Sequence, residues 1–302
     1  MSPALINIRQ RAHLLKEARA FFSSRNVLEV DPCALSPYAP IDSNIDVISA
    51  QVSDTEKGFL HTSPEYAMKR LLALGSGDIY FLGHVFRKNE RGRLHNPEFT
   101  MAEWYRLHFT LLQMIEETAA FLSLFLGSLP VRILSYRAAF SQVGINYTED
   151  PLLKLQELTG RDWPRETCLH FLLTHLIEPE LGQNELTVLT DYPPHEAALA
   201  SVTEKNGELV ANRFEIYYQG VELSNGYHEL CNASELRRRF HKENNIRKSA
   251  NKETYALDER FLSAMQKGMP DCCGVSVGVD RALMLRQKCK SIGEVLPFCW
   301  GK

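Results

Sequence analysis

Apolar residues recur along this chain with two periods, and the switches between them outline its elements. Over residues 6–26, Ile8, Ala12, Leu15, Ala18 and Phe22 fall at steps of three and four, which predicts a helix with one apolar face. Residues 27–32 have the composition of a short strand ended by proline, and the Pro/Ser-rich run to Asn44 reads as loop. Ser63 and Pro64 open a second helix, with proline at its first position and Glu65, Met68, Leu71 and Leu72 following. Residues 79–86 and 99–108 read as strands flanking a loop of arginine and glycine. Residues 111–126, apolar almost all round, predict a well-buried helix.

From about 130 to 200 the pattern is of short helices separated by prolines, with a strand at 186–189. Residues 214–218 and 221–224 predict a hairpin turning at Gln219 and Gly220. Asn225-Gly226-Tyr227 reads as a turn that re-aims the chain. A basic helix follows over 234–250, then a strand at 274–279 and a helix at 280–287 joined at Gly278. No repeat, low-complexity tract or linker interrupts the chain. Many strands with few βαβ alternations predict one compact α+β domain over 1–302, a mainly antiparallel sheet flanked by helices.

Composition narrows the class. With 34 basic and 37 acidic residues and a net charge of -3, the chain has no global affinity for nucleic acid. Seven cysteines without CxxC spacing, two of them adjacent at Cys272 and Cys273, fit buried thiols in a reducing cytosol. They argue against a zinc knuckle or a disulfide framework. The amphipathic, charged N-terminus lacks the apolar centre of a signal peptide, and no apolar run reaches the roughly 18 residues of a membrane span. A cytoplasmic protein without membrane contact is expected.

The chemistry concentrates in FRKNERGRLHNPEFTMAEWY, residues 86–105. Arg87 follows an apolar strand, where it can offer a guanidinium to a phosphate. Phe99 offers an aromatic face to a base. Glu103 and Tyr105, two apart on a strand, share a face. Taken alone this is a charged surface hairpin; the acids farther along reverse that reading. Glu215, Glu222 and Glu229 recur at steps of seven. A spacing of seven puts strand neighbours on opposite faces, but the hairpin can bring Glu215 and Glu222 together, and two carboxylates beside a polyphosphate suit Mg²⁺. GVSVGVDRALML adds Gly278, which lets a nucleotide approach the backbone, and Arg281, a second guanidinium. Neither GxxxxGK[ST] nor GxGxxG occurs, so an ATP site needs another fold.

These segments, taken in order, resemble the catalytic domain of class II aminoacyl-tRNA synthetases, and within it the lysyl-tRNA synthetase group. The resemblance spans nearly the whole chain: a weak first motif at 27–32, TSPEYAMKRLL, the HNPEFTMAEWY segment, ELSNGYHEL and the last motif. NPEFTM-AEWYR and MPDC resemble more closely the truncated paralogues that acylate elongation factor P. The pattern begins at residue 6, so no anticodon-reading barrel is expected ahead of it, and tRNA would bind poorly.

The resemblance implies a homodimer that activates lysine or (R)-β-lysine with ATP and Mg²⁺ and passes it to elongation factor P. It makes Arg87 and Arg281 the catalytic cations. The nucleotide would meet Arg87, Lys88, Asn89, Glu90, Arg93, His95, Asn96, Phe99, Glu222, Leu223, Gly278 and Arg281. Ser63, Glu65, Glu103, Tyr105, Asn225, Glu229 and Ser276 would hold the amino acid, and Glu215 with Glu222 the metal. Two rivals remain: a stand-alone enzyme charging tRNA, and a lysine- or ATP-binding paralogue without chemistry.

The chain departs from the family pattern in three places. Arg87 is followed by Lys88 and Asn89 with Glu90 one place late, so either the loop shifts by one residue or the adenine contact changes. Leu94 precedes His95 where the family has arginine, as if Arg93 reaches the phosphate instead. Ser276 replaces a glycine of lysyl-tRNA synthetases, reshaping the floor under the α-carbon in a way that favours a β-amino acid. The basic run 237–248 admits a solvated face, a nucleic-acid contact or a dock for an acidic protein.

Overall fold

The computed structural model describes residues 3–301, so Met1, Ser2 and Lys302 of the predicted domain and N-terminal stretch lie outside the described residues. The first helix, α1 (Pro3–Ser23), forms as predicted but is rotated from the expected face. Its buried stripe is Arg11, Leu14, Ala18, Phe21 and Phe22, whereas Ile8 and Ala12 face outward. Arg11 takes the place of an apolar residue because it is paired with buried Asp280 and also donates to Thr100. Periodicity of apolar letters alone cannot find such a residue.

Two-residue strands β1 (Leu28–Glu29) and β2 (Leu35–Ser36) precede β3 (Ser49–Gln51) and β4 (Lys57–Leu60). The order β2-β4-β3 makes a small sheet, one strand of it in the segment expected to be loop. Helix α2 (Glu65–Ala73) begins one residue later than predicted, with Pro64 at the cap. Strands β5 (Ile79–Phe86) and β6 (Glu98–Leu107) form the expected hairpin, and α3 (Leu111–Leu126) starts at a capping box made by Thr110 and Gln113.

Next come β7 (Val131–Ser135), which the sequence did not announce, and the short helices α4 (Tyr136–Gln142), α5 (Leu152–Thr159) and α6 (Arg165–Leu172). Strand β8 (Leu186–Tyr192) is followed by β9 (Val202–Lys205), β10 (Glu208–Tyr218) and β11 (Val221–His228). The chain closes with α7 (Ala233–Ser249), α8 (Glu259–Gly268), β12 (Cys272–Gly278) and α9 (Val279–Arg286). The large sheet has the order β1-β5-β6-β12-β11-β10-β8-β7, with β9 on β10. Only β1/β5 and β7/β8 pair in parallel among the described residues; every other neighbour is antiparallel.

One face of this sheet is covered continuously. Trp104 and Ala102 of β6, Val275 and Val277 of β12, and Phe214 and Ile216 of β10 pack against Phe22, Phe121, Phe125 and Leu283 from α1, α3 and α9. Each such side chain contributes roughly 1.5–3 kcal/mol by leaving water. The indole N–H of Trp104 donates to buried Glu117 at 3.0 Å, so its polar edge is matched too. The other face is covered by two separate helical groups. Residues of α2, α7 and α8 gather around Met68, Phe240 and Phe261. Those of α4 and α6 gather around Tyr136, Phe140 and Leu169. Between the groups the middle of the sheet stays open.

The turn expected at Asn225-Gly226-Tyr227 does not exist. These residues continue β11, with Asn225 opposite Glu215 on β10 and Ser276 on β12. Gly226 is required by close packing: a Cβ there would overlap the ring of Phe214. The re-aiming comes earlier, from a bulge. Ile216 pairs with Ser224 and Tyr217 with Glu222, which leaves Leu223 without a partner on β10. The extra residue changes the strand's phase, so Glu222, Asn225 and Tyr227 all face the open side.

Among the described residues no helix is long and apolar enough to cross a membrane. The Arg11–Asp280 pair gives a direct test of the packing. Arg11→Met leaves Asp280 buried without its cation, and a loss of about 3–5 kcal/mol is expected in urea unfolding, because removing one partner of a buried pair costs that much. An unchanged unfolding midpoint would contradict the burial described.

Candidate active site

The opening is a cavity of 1230 Å³ over β6, β12, β11 and β10. Ten predicted residues line it: Ser63, Glu65, Arg87, Glu103, Tyr105, Glu215, Glu222, Asn225, Glu229 and Ser276. They come from five places in the sequence, and strand alternation aims them. On β6, Glu103 and Tyr105 face the cavity while Ala102 and Trp104 enter the core.

One end of the cavity is acidic. Glu103 accepts from the Ser63 hydroxyl at 2.5 Å and from the Tyr105 hydroxyl at 2.9 Å. Ser63 in turn accepts from the backbone N–H of Glu65 at 3.1 Å, which fixes the start of α2. Glu229 follows β11 and bridges to Ala200. Room beside it depends on Gly274, where a Cβ would overlap both the Glu229 carboxylate and the Tyr105 ring.

Sequence reasoning missed Lys69. Its side chain is fully buried, and its Nζ lies 2.5 Å from Glu65 and 2.6 Å from Glu229. The signal was available: Lys69 stands four residues after Glu65 on a predicted helix, the spacing at which opposite charges meet. Burial works against its charge, but Glu229 and then Glu65 more than offset this and hold the ammonium charged.

The acids respond to the same burial. Glu103 is pushed up to about 8, by burial first and then by the charge of Glu65. Glu229 is pushed up to about 7 by burial, with Lys69 opposing the rise. Both carboxyls at this acidic end are therefore pushed toward neutrality.

At the cavity's centre a second network was only half foreseen. Arg213 is paired with Glu215, donates to the Glu196 carbonyl at 2.6 Å and to Asn225 at 3.3 Å, and stacks on Tyr192. Tyr192 and Tyr217 both donate to Glu215, at 2.6 and 2.5 Å, and Tyr217 also reaches Glu178 at 3.1 Å. Glu178 is pushed up to about 7 by burial and by Glu215 and Glu222, and Glu222 is raised by burial and Glu215. Glu178 and Glu222, raised in part by the charge of Glu215, would be relieved by a cation. No cluster of three or more metal-ligating side chains in binding geometry exists among the described residues. Glu215 and Glu222 thus fit Mg²⁺ only as a pair completed by phosphate oxygens and water, the arrangement Mg²⁺ commonly takes.

Arg87 lines the other end of the cavity, and Arg281, outside its wall, is paired with Glu222, which does line it. Arg87 stacks its guanidinium on Phe99, 5.1 Å from the ring centre, and lies 3.7 Å from Glu90. Arg281 donates to the Glu222 carbonyl at 2.9 Å, to its carboxylate at 3.2 Å and to His95 Nε2 at 2.8 Å. Burial and then Arg281 lower the pKa of His95, in keeping with a neutral ring accepting that bond. Asp280, the residue before Arg281, holds the start of α9 through Arg11 and the Thr100 N–H.

The remaining nucleotide expectations fare unevenly. Phe99 is covered by Arg87 on one face and packs in part against the core, which restricts it as a platform for a base. Asn96 is buried and turned inward, bonding Glu98 O and the N–H of Trp300 at 2.6 and 2.9 Å. The side chain of Leu223 is in the core, which leaves only its backbone for a ligand. Nothing in the protein needs glycine at 278: its φ is -75°, and a Cβ would meet only Arg281 at 3.7 Å. Lys88, Asn89 and Arg93 are exposed on the loop outside the cavity wall, Lys88 bridged to Asp46 through the backbone and Asn89 at φ 66°. Ser276 lies on the floor, opposite Asn225.

Much of the basic helix α7 is structural. Arg237 pairs with Glu259, Arg238 and Arg239 with Glu235, and fully buried Arg247 with Asp46. That disfavours a nucleic-acid contact for the run.

Residues 4–301 match the family of class II tRNA synthetases of the D, K and N type. The chain belongs to this family. Among curated relatives it is similar to an "Elongation factor P--(R)-beta-lysine ligase" of Haemophilus ducreyi, 40% identical over 96% of this chain and 92% of the relative. Proteins of the same name from Haemophilus influenzae and Histophilus somni are 39% and 40% identical over 97% and 98% of this chain, covering 94% and 96% of their own lengths.

The raised acids yield a pH test. An entering ammonium favours the ionised forms of Glu103 and Glu229, so binding expels protons and affinity must rise with pH. A ligand carrying an alkyl ammonium is expected to bind about tenfold tighter at pH ~8 than at pH ~6, before its own ammonium titrates near 10.4. Calorimetry in two buffers of different ionisation heat should record the protons released; flat affinity across that window would contradict the burial of these acids.

Proposed function

We propose that this protein is an ATP-dependent ligase that activates lysine or (R)-β-lysine as an adenylate and transfers it to a lysine ε-amino group of elongation factor P. The observation that carries this reading is the cavity itself: acids suited to a diamino acid at one end, and at the other Arg87 in the wall with Arg281 paired to the wall residue Glu222, both suited to a polyphosphate. The names of the relatives supply the acceptor and point to the β-isomer.

In the first step the substrate carboxylate attacks the α-phosphorus of ATP, and the bond to pyrophosphate breaks. No general base is needed, because the nucleophile is already an anion. Arg87 and Arg281 hold the phosphates and offset charge in the transition state. Glu103, Tyr105 and Glu229 receive the far ammonium, Glu65 the amino group near the reacting carboxylate, and Asn225 the carboxylate. Glu215 and Glu222 would hold Mg²⁺, which neutralises phosphate charge when bound. In the second step the acceptor amine attacks the acyl carbon, AMP leaves, and the amine's extra proton passes to water. Catalysis is positioning and electrostatics.

We read residues 1–302 as one catalytic domain, working in the cytoplasm. A twofold dimer over residues 27–32 agrees with the exposure of Leu28, which leaves apolar surface for a partner copy. Intact-mass measurement on elongation factor P, incubated with enzyme, ATP and each lysine isomer, is expected to show a gain of one lysyl unit. Acylation of tRNA instead, or no product of either kind, overturns the proposal. Arg281→Ala is expected to slow amino-acid-dependent pyrophosphate exchange about 10²–10³-fold, the usual loss for a preorganised transition-state donor. Near-normal exchange would remove its assigned role.

A further inference from the structure

Among the described residues, Lys69 is the one fully buried ammonium, and the mechanism above does not use it. It stands on α2, among the core residues Met68 and Leu72, and is absent from the cavity wall, whereas Glu65 and Glu229 both line it. The lysine therefore grips the two carboxylates from behind. Glu65 gives it Oε1 and Glu229 gives it Oε2. The second oxygen of each remains, and Glu229 Oε1 faces the space above Gly274, next to Tyr105.

The two acids come from opposite walls. Glu65 starts a helix of the covering layer; Glu229 directly follows strand β11 of the sheet. One ammonium joins them, so it sets the separation of the walls at the acidic end. Stability alone does not call for such a group, since apolar side chains of similar volume commonly replace buried ion pairs without loss. Without it the two carboxylates repel, and Glu229 loses the cation that opposes its protonation in a buried place.

We propose that Lys69 is a positioning residue for amino-acid recognition: it clamps Glu65 and Glu229 in one orientation and keeps a charged oxygen of each turned toward the substrate's ammonium groups. This inference rests on the reading of the cavity as a lysine-type site. It makes the pocket selective by fixed spacing between acids rather than by the amount of negative charge.

Pyrophosphate exchange with varied amino acid and varied ATP, from pH ~7 to ~9, tests it on the intact protein. Lys69→Met is expected to raise the amino-acid KM by about tenfold or more at pH ~7, the worth of one charge-assisted hydrogen bond, with the ATP KM within about twofold. The deficit should shrink toward pH ~9 as Glu229 gives up its proton. Lys69→Arg keeps the charge and guards against a folding failure. Its planar head moves the carboxylates, so the amino-acid KM should rise about threefold or more at every pH, again with the ATP KM unchanged. An unchanged amino-acid KM in either folded variant, or a parallel rise in both KM values without pH dependence, overturns the proposal and leaves a merely structural ion pair. Wild-type protein that shows no exchange with any lysine isomer would instead remove the reading of the cavity, and the inference with it.

Discussion

Charge buried without a partner is the constraint around which this molecule is arranged. The open face of the sheet carries Glu103, Glu215, Glu222 and Glu229, and burial penalises the ionised carboxylate at Glu103, Glu222 and Glu229. Each is therefore tied down: Glu103 by two hydroxyls, Glu215 by Arg213 and two tyrosines, Glu222 by Arg281, Glu229 by Lys69. Those partners sit on α2, α9 and the strands themselves, so the elements must dock correctly before the acids can be tolerated. The helical layer and the site are specified together.

The two ends of the cavity are built differently. The acidic end is framed by regular structure and closed by buried side chains. At the cationic end, Arg87 and Arg281 rest on Phe99, Glu90, Glu222 and His95, partners that are themselves polar or half-buried. Rigid support suits discrimination between small isomers, where misplacement of an ammonium by a fraction of an ångström matters. Looser support suits a triphosphate that must enter, react and leave.

The strand and helix pattern was legible where periodicity is strong and uninterrupted. Residues 79–86 and 111–126 were read to the residue, because an apolar strand and a helix with its cap at Thr110 leave no competing pattern. The cavity wall was legible through alternation on β6 and the hairpin at Gln219 and Gly220. What escaped was set by tertiary partners: Arg11 on a buried helix face, Lys69 behind two acids, Arg213 and Glu178 around Glu215. A charged letter reads as surface until its counter-charge is known, and that counter-charge lay far along the chain. Asn225-Gly226-Tyr227 failed for a related reason: turn-forming residues can be held extended when neighbouring strands pair on both sides.

The bulge at Leu223 carries a consequence for how this segment can vary. With that unpaired residue present, odd and even positions on its two sides look the same way. Loss or gain of a single amino acid between Glu222 and Asn225 would invert everything downstream, sending carboxylates into the apolar interior and hydrocarbon to the ligand. Side chains there can be exchanged one at a time, but the count of residues is locked.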